Sequence, residues 1–390
     1  MNDARHTQGA DGALYSDMID AHPRARQACD RVSAVINGRT PDRIPFSDSY
    51  WAGFTENYRR ERDLPADTSM REHFDHDLVI LAPTMGPWPS EAGEIEHDAD
   101  GYTYMRDEYG LVMRSIPDKQ TMPQHVDFKI KEARDLDRFP FEDPADPRRS
   151  HKLEVELAEV STRFCPVLKL GGPFSRSWRL RGLERFLEDI AGDGPFVEAM
   201  VDRVTDHLIA VGTSAAARLA WPRIQLHIAD DFAARNGPLF SPAVYERVFL
   251  PNLKKMVDAF HAMGFKISYE SEGNVGPMLD CLDASGIDGL AHMEPRAGMC
   301  IEKIRRDYGT RFFLLGNICN TMVLPSGDRK AIASEVYRVL AAAEDGRYMG
   351  LSAHSIGTDV SSDAYDYFVA LMKQYGTYPL DLNNLRQELR

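Results

Sequence analysis

The second half of the sequence alternates short apolar segments with longer amphipathic segments, and this alternation constrains the fold more than any other feature. Strand-like segments are predicted at 266–269, 287–292, 311–318 and 348–353. Helical segments lie between them and are joined to them by short loops. Strands and helices that alternate in this way are typical of βα units around a parallel sheet. We therefore predict an α/β protein.

The first half of the chain supplies further strand-like segments at 77–83, 165–170 and 223–228. In residues 99–116, aromatic or apolar residues alternate with polar ones around two glycines, which predicts a β-hairpin. Residues 118–150 are rich in Pro, Asp and Arg, and predict a long surface connection. No internal repeat interrupts this pattern.

One barrel accounts for these elements. The predicted fold is a single (β/α)8 TIM-type barrel over residues 25–390, with the hairpin as an insertion. Residues 1–24 are polar and contain Gly and Asp, so they are predicted to form a flexible N-terminal extension.

Composition excludes several classes of function. The chain carries a formal net charge of -14, which does not suit non-specific nucleic-acid binding. No apolar segment approaches the length of a membrane span, and the N-terminus lacks the apolar core of a signal peptide. The 5 cysteines are scattered without a CxxC pair, which indicates a reducing compartment. We therefore predict a cytoplasmic protein that does not bind a membrane or nucleic acid.

Two carboxylates follow the strand-like segment at 266–269. Glu270 and Glu272 are two residues apart, so on an extended backbone they point to the same face, and Gly273 allows a turn directly after them. This arrangement suits a cation site or a proton transfer. The alternative is a solvated acidic turn, which the motif alone leaves open.

Other strand ends carry polar groups as well. Asp230 and Asp231 follow one strand, His292 ends another, and His354 follows the last. In a (β/α)8 barrel these strand ends meet at one mouth, where the chemistry of such barrels is located. The predicted catalytic residues are therefore Asp230, Asp231, Glu270 and His292.

A second group of residues is predicted to bind substrate. Its members lie near strand ends or carry aromatic or cationic side chains: Tyr50, Trp51, Arg176, His227 and Asn317. Each also has a structural interpretation, since strand aromatics and histidines are common in cores and an asparagine after a glycine can cap a turn. The position of Arg176 suits an anionic substrate group or a partner protein.

Longer blocks of sequence resemble one superfamily. The segments RVSAVINGRTPDRIPF, HIADDFAARNGPLFSPAVYERVF and GLAHMEPRAGMCIEKIRRDYGTRFFLLGNI resemble the uroporphyrinogen decarboxylase-like proteins over roughly residues 28–380. True uroporphyrinogen decarboxylase has an arginine-rich element after its first strand, whereas residues 46–54, which follow Pro45 here, contain no arginine. The chain is therefore identified as a member of the superfamily outside that enzyme.

The branch that it resembles is that of the cobamide-dependent methyltransferases. Their zinc-binding H-x-C-G motif corresponds here to Glu270, Glu272 and Gly273, and His354 stands near a later family cysteine. The resemblance implies that Glu270, Glu272 and His354 bind a divalent metal. Zinc is the first expectation, although carboxylate and imidazole ligands also suit manganese or iron.

The resemblance also implies the activity. We expect a methyltransferase subunit that moves a methyl group between a small methylated substrate, such as a methoxy compound, and a corrinoid, with the metal as Lewis acid. The chain has no D-x-H-x-x-G corrinoid motif, so cobalamin would come from a partner corrinoid-binding protein. Two alternatives stay open: a decarboxylase or lyase that uses Asp and Glu as acid and base without metal, and a non-catalytic corrinoid-binding module. A homodimer is compatible with the sequence.

Overall fold

The computed structural model describes residues 14–98, 100–116, 123–192 and 194–389. Its strands, numbered in chain order, are β1 (Leu78–Leu81), β2 (Gly93–His97), β3 (Thr103–Arg106), β4 (Val112–Ser115), β5 (Gln124–Asp127), β6 (Cys165–Gly171), β7 (Gln225–Ala229), β8 (Ala233–Ala234), β9 (Gly237–Pro238), β10 (Lys266–Glu270), β11 (Gly289–Ala291), β12 (Phe313–Leu315) and β13 (Tyr348–Met349).

Seven of these strands form one parallel sheet in the order β1-β6-β7-β10-β11-β12-β13. Segment 44–47 lies between the two edges of this sheet and closes it. Phe46 forms a parallel bridge with Gly350 on one side, and its carbonyl accepts a hydrogen bond of 2.7 Å from the Asp77 amide on the other. With this segment the sheet has eight members, so the predicted (β/α)8 barrel is confirmed.

Helices surround the barrel. Those of eight residues or more are Leu14–Ala21, Pro23–Ile36, Ala52–Glu61, His151–Val160, Pro173–Arg181, Leu183–Gly192, Gly194–Arg218, Leu250–Ala262, Ile301–Tyr308, Arg329–Ala341 and Ser362–Tyr375. Shorter helices are Met70–His73, Asp135–Arg138, Pro242–Val244, Leu279–Ala284, Val323–Ser326 and Leu382–Leu385, and a π-helical segment, Tyr245–Phe249, precedes Leu250. Among the described residues, no helix combines the length and the apolar character needed to cross a membrane.

One helix covers the N-terminal end of the barrel. Val32 and Val35 of Pro23–Ile36 are buried against Cys165, Val167 and other apolar residues that project from the strands into the barrel. Within the segment predicted to be flexible, residues 1–13 lie outside the described part, but Leu14–Ala21 is a helix and Ile19 joins this cluster. The bottom of the barrel is thus filled, and the opposite end remains for a site.

The insertion is larger than the predicted hairpin. β3 and β4 pair antiparallel, as predicted, although Ala99 lies outside the described residues. They belong to a four-stranded sheet in the order β2-β3-β4-β5. Of the predicted surface connection over 118–150, residues 118–122 lie outside the described part of the chain. The remainder contains β5, an exposed strand that pairs with β4, and Arg149, which is buried and so departs from the prediction. β5 has only 4 residues, so its alternating pattern was too short to be recognised in the sequence.

Candidate active site at the barrel mouth

Strand register brings three ionisable side chains to the inner face of the barrel. Lys169 of β6 lies opposite His227 of β7. His227 lies opposite Ser268 of β10, and Glu270 follows two residues later on the same face. These side chains therefore project into the barrel near the carboxyl ends of its strands.

His227, Glu270 and His292 form a group that could hold a metal ion. Their potential ligand atoms all lie within 4.8 Å of one another. Nε2 of His227 is 2.6 Å from Oε2 of Glu270, and the two imidazole rings are 6.2 Å apart between centroids. His292 has a φ of 53°, which is uncommon for a residue with a side chain. This backbone turn after β11 accompanies the approach of its imidazole to Glu270.

Ser268 orients the imidazole of His227. Its Oγ accepts a hydrogen bond of 2.8 Å from the side-chain amide of Gln225, and it lies 2.9 Å from Nδ1 of His227. Nδ1 therefore contacts Ser268, and Nε2 is the ring nitrogen that faces Glu270.

Electrostatics keep Glu270 ionised. Burial would raise the pKa of Glu270, but the imidazole of His292, the hydrogen bond from His227 and the ammonium of Lys169 outweigh burial and hold this pKa well below its usual value. Nζ of Lys169 is 3.6 Å from Oε2 of Glu270. Burial also lowers the pKa of His292, and the negative charge of Glu270 opposes this shift.

Glu272 and His354 pair with each other beside this group. Nε2 of His354 is 2.6 Å from Oε1 of Glu272. The hydrogen bond and charge of Glu272 raise the pKa of His354, and the pairing lowers the pKa of Glu272. The backbone amide of Glu272 also donates to Oδ1 of Asp231 at 3.0 Å. The mouth therefore contains all three residues that were predicted as metal ligands, Glu270, Glu272 and His354. Glu270, however, contacts His227 and Lys169 rather than the other two.

A cavity of about 320 Å³ opens over these groups, a size that suits a small ligand. Its polar and ionisable lining consists of Ser47, Asp48, Ser49, Arg71, Lys169, Glu270, Glu272, His292, His354 and Ser355. Sequence analysis missed Asp48 and Lys169. A signal existed for Lys169, which is a single charge within the otherwise apolar strand β6.

Asp48 ends a chain of buried hydrogen bonds. It accepts a hydrogen bond from the Ser352 hydroxyl and one of 3.0 Å from the Tyr365 hydroxyl. The Tyr365 oxygen is 2.9 Å from that of Tyr50, and the Tyr50 oxygen is 2.8 Å from Nε2 of His76. Burial raises the pKa of Asp48 to about 7 and lowers that of His76 to about 3. Tyr50, predicted to bind substrate, thus supports a residue of the cavity wall.

Asp230 is buried and caps the helix that follows β6. Its carboxylate accepts hydrogen bonds from the backbone amide of Ser175 at 2.6 Å, from that of Phe174 at 3.4 Å and from the Tyr269 hydroxyl at 2.9 Å. A Cβ on Gly172 would lie 2.2 Å from the Asp230 side chain. Burial raises the pKa of Asp230 to about 6. Its contacts are those of a helix cap.

The remaining predicted residues lie outside the lining of this first cavity. Asp231 reaches a second cavity and has a pKa raised by burial. Trp51 is 55% exposed beside the helix Ala52–Glu61. Asn317 is fully buried, and its side chain bonds to Ile301, Arg338, Met293 and Met299. Arg176 lines the second cavity with Asp231.

Known proteins resemble the chain in both sequence and structure. The sequence model of the family described as Uroporphyrinogen decarboxylase (URO-D) matches residues 117–375. A methyltransferase from Methanosarcina mazei has 18% sequence identity and a TM-score of 0.66, over 89% of this chain and 98% of that chain. An endo-1,4-beta-mannanase from Rhizomucor miehei has 9% identity and a TM-score of 0.42, over 86% of this chain and 96% of that chain. No curated protein matches the sequence.

Proposed function

The chain belongs to the uroporphyrinogen decarboxylase family, and we propose that it is a methyltransferase subunit that moves a methyl group between a small methylated substrate and a corrinoid on a partner protein. The observation that carries this proposal is the group of His227, Glu270 and His292 at the open end of the barrel. The methyltransferase of similar fold supports it. A methoxy compound is the proposed class of methyl donor.

The donor set of this group fits a divalent metal. Two imidazoles and one carboxylate are ligands for zinc and for other first-row metals, and three protein ligands leave a position open for substrate. We propose His227, Glu270 and His292 as the ligands, in place of the set Glu270, Glu272 and His354 expected from the family motif. A bound metal would act as a Lewis acid that withdraws charge from the methylated oxygen.

The chain's own residues would prepare the mouth for this chemistry. Glu270 holds a negative charge beside Lys169, and the imidazole of His292 lies within reach of the same carboxylate. Asp48 lies in the cavity wall with a pKa near neutrality, so it can release or accept a proton when the leaving oxygen changes its charge. Because the bottom of the barrel is closed, substrate can reach the site only through the mouth. The proposed partner would dock there.

A decarboxylase or lyase without metal is the second candidate. The observation that favours it is the contact between Lys169 and Glu270, because a lysine supplies a positive charge within the same cluster. In this case Asp48, Glu270 and the histidines would move protons, and the metal content would not affect turnover.

Methyl transfer can be measured directly. The purified chain would be mixed with 4-methoxybenzoate and reduced free cobalamin, and the absorbance change that accompanies corrinoid methylation would be followed before and after dialysis against a chelator. We expect a signal that requires cobalamin and metal and that returns when zinc is added. Turnover of the substrate without cobalamin would refute the proposal and favour the lyase.

A further inference from the structure

A second cavity adjoins the first and shares two residues with it. It has a volume of about 320 Å³ and, like the first cavity, includes Lys169 and Glu270 in its wall. Its apolar wall contains Phe174, Trp178 and Leu183. A ligand that enters this cavity therefore has one end beside the proposed metal ligands and its body against aromatic and aliphatic side chains.

Arg176 is the cation of this cavity that lacks a partner. Among the described residues, no acceptor bonds to its guanidinium and no carboxylate lies within ion-pair distance, and its Nε is buried without a partner. Arg179, which also lines the cavity, differs because Asp107 binds it at 2.9 Å through Nε. Leaving a buried donor unpaired is costly, so an unpaired guanidinium beside a cavity indicates a missing anion.

The local structure holds Arg176 in this place. The helix Pro173–Arg181 begins directly after β6, and the side chain of Arg176 folds back over Gly171, where a Cβ would lie 1.7 Å from its Nε. The ring of Tyr109 lies 5.6 Å from Cζ on another side. Glu108 carries the nearby negative charge, but its carboxylate accepts a hydrogen bond from the Met85 amide. The guanidinium is therefore held in place, and no carboxylate of the described residues forms an ion pair with it.

We propose that the second cavity binds the anionic end of the substrate, and that the substrate is a small carboxylate with an apolar body whose carboxylate pairs with Arg176. A guanidinium binds a carboxylate through two parallel hydrogen bonds, which fixes orientation as well as charge. The methylated atom would then lie toward Glu270. This assignment deepens the proposed function and rests on it for the identity of the reacting end, but the recognition of the anion is independent of methyl transfer.

Calorimetric titration can test the pairing without corrinoid. The full chain would be titrated with 4-methoxybenzoate and with its neutral amide, 4-methoxybenzamide. We expect the carboxylate to bind at least tenfold more tightly, and we expect Arg176→Gln to remove this preference while the affinity for the amide changes little. Arg134→Gln, which alters an arginine that is 78% exposed, should keep the preference.

The outcomes separate the two proposals. Equal binding of the two probes by the unaltered chain, binding of neither, or a preference that survives in Arg176→Gln would overturn the assignment, even if methyl transfer occurs. A tenfold preference that is lost in Arg176→Gln would support it, even if methyl transfer fails. Arg176→Lys keeps the charge without the planar fork and should retain part of the preference, which excludes misfolding as the cause.

Discussion

His227 and Glu270 are 43 residues apart in the chain, yet Nε2 of one lies 2.6 Å from Oε2 of the other. The contact exists because β7 and β10 pair in parallel with Ser268 opposite His227. His292 completes the group from the end of β11. Each ligand of the proposed metal centre is thus placed by a different neighbouring strand.

Metal binding should depend on Glu270 more than on Glu272. Glu270→Gln removes the carboxylate that lies within 4.8 Å of both imidazoles, so we expect metal affinity to fall by at least tenfold. Glu272→Gln is the matched control, because it changes a neighbouring carboxylate that pairs with His354. The measurement is elemental analysis together with titration of zinc into the metal-free chain.

Loss of metal in variants of the neighbouring pair would instead support the ligand set expected from the family motif. If Glu272→Gln and His354→Ala lose metal as severely as Glu270→Gln, then Glu270, Glu272 and His354 are the ligands. If all variants and the unaltered chain are free of metal and active, the lyase becomes the better interpretation.

The barrel was predictable because each strand is a short apolar segment between helices. The position of Glu270 at a strand end follows from the same pattern. The period of two that placed Glu272 on the face of Glu270 holds only inside a strand, and β10 ends at Glu270. Glu272 lies beyond the strand, directly before Gly273 with its φ of 79°, and its carboxylate pairs with His354.

The contacts of Lys169 and His227 could not be predicted from local sequence. Which residue of β6 lies opposite which residue of β7 depends on long-range register, for which the sequence has no local signal. The role of segment 44–47 was hidden for a similar reason, since this short segment joins the barrel through one bridge on one side and a backbone hydrogen bond on the other. Asp48 follows this segment and was missed with it.

Asn317 should stabilise the fold without affecting ligand affinity. Its Oδ1 accepts from the Ile301 amide at 3.0 Å, and its Nδ2 donates to the Met293 carbonyl at 2.9 Å. We expect Asn317→Ala to lower the free energy of unfolding by about 2–4 kcal/mol, since it leaves buried partners unpaired and places alanine at positive φ.

Urea denaturation would measure this loss, and the affinity for 4-methoxybenzoate would be compared in the same variant. Asn317→Asp is a second variant, because it keeps the acceptor but turns an oxygen toward the Met293 and Met299 carbonyls, so stability should fall in this variant too. A weakened affinity with unchanged stability would instead assign Asn317 to the substrate site.

The barrel should unfold as one unit. The early chain supplies segment 44–47, which bridges Gly350 directly after β13, and β1, which pairs with β6, so neither half has a complete sheet. We expect a single calorimetric transition and no protease-resistant fragment from cleavage within 118–150. Two separate transitions, or two fragments that each remain folded after such a cut, would contradict a single domain.

Asp48 should make stability depend on pH. Burial raises its pKa from 3.8 to about 7, so the folded chain binds this proton more tightly than the unfolded chain does. The resulting stabilisation is fully present below about pH 3.8 and is lost as the pH rises through about 7. Between pH 5 and pH 8, the loss attributable to this carboxyl should be about 2–3 kcal/mol.

Asp48→Asn removes this titration while keeping the size of the side chain. Measured by urea denaturation at pH 5 and pH 8, the stability of the variant relative to the unaltered chain should therefore improve at the higher pH by that amount. Asp258→Asn is the matched control, because Asp258 is an exposed helix residue whose side chain is 62% accessible. If the difference in unfolding free energy between each variant and the unaltered chain is the same at both pH values, Asp48 is ionised throughout this range. It then cannot serve as the proton donor of the mouth at neutral pH.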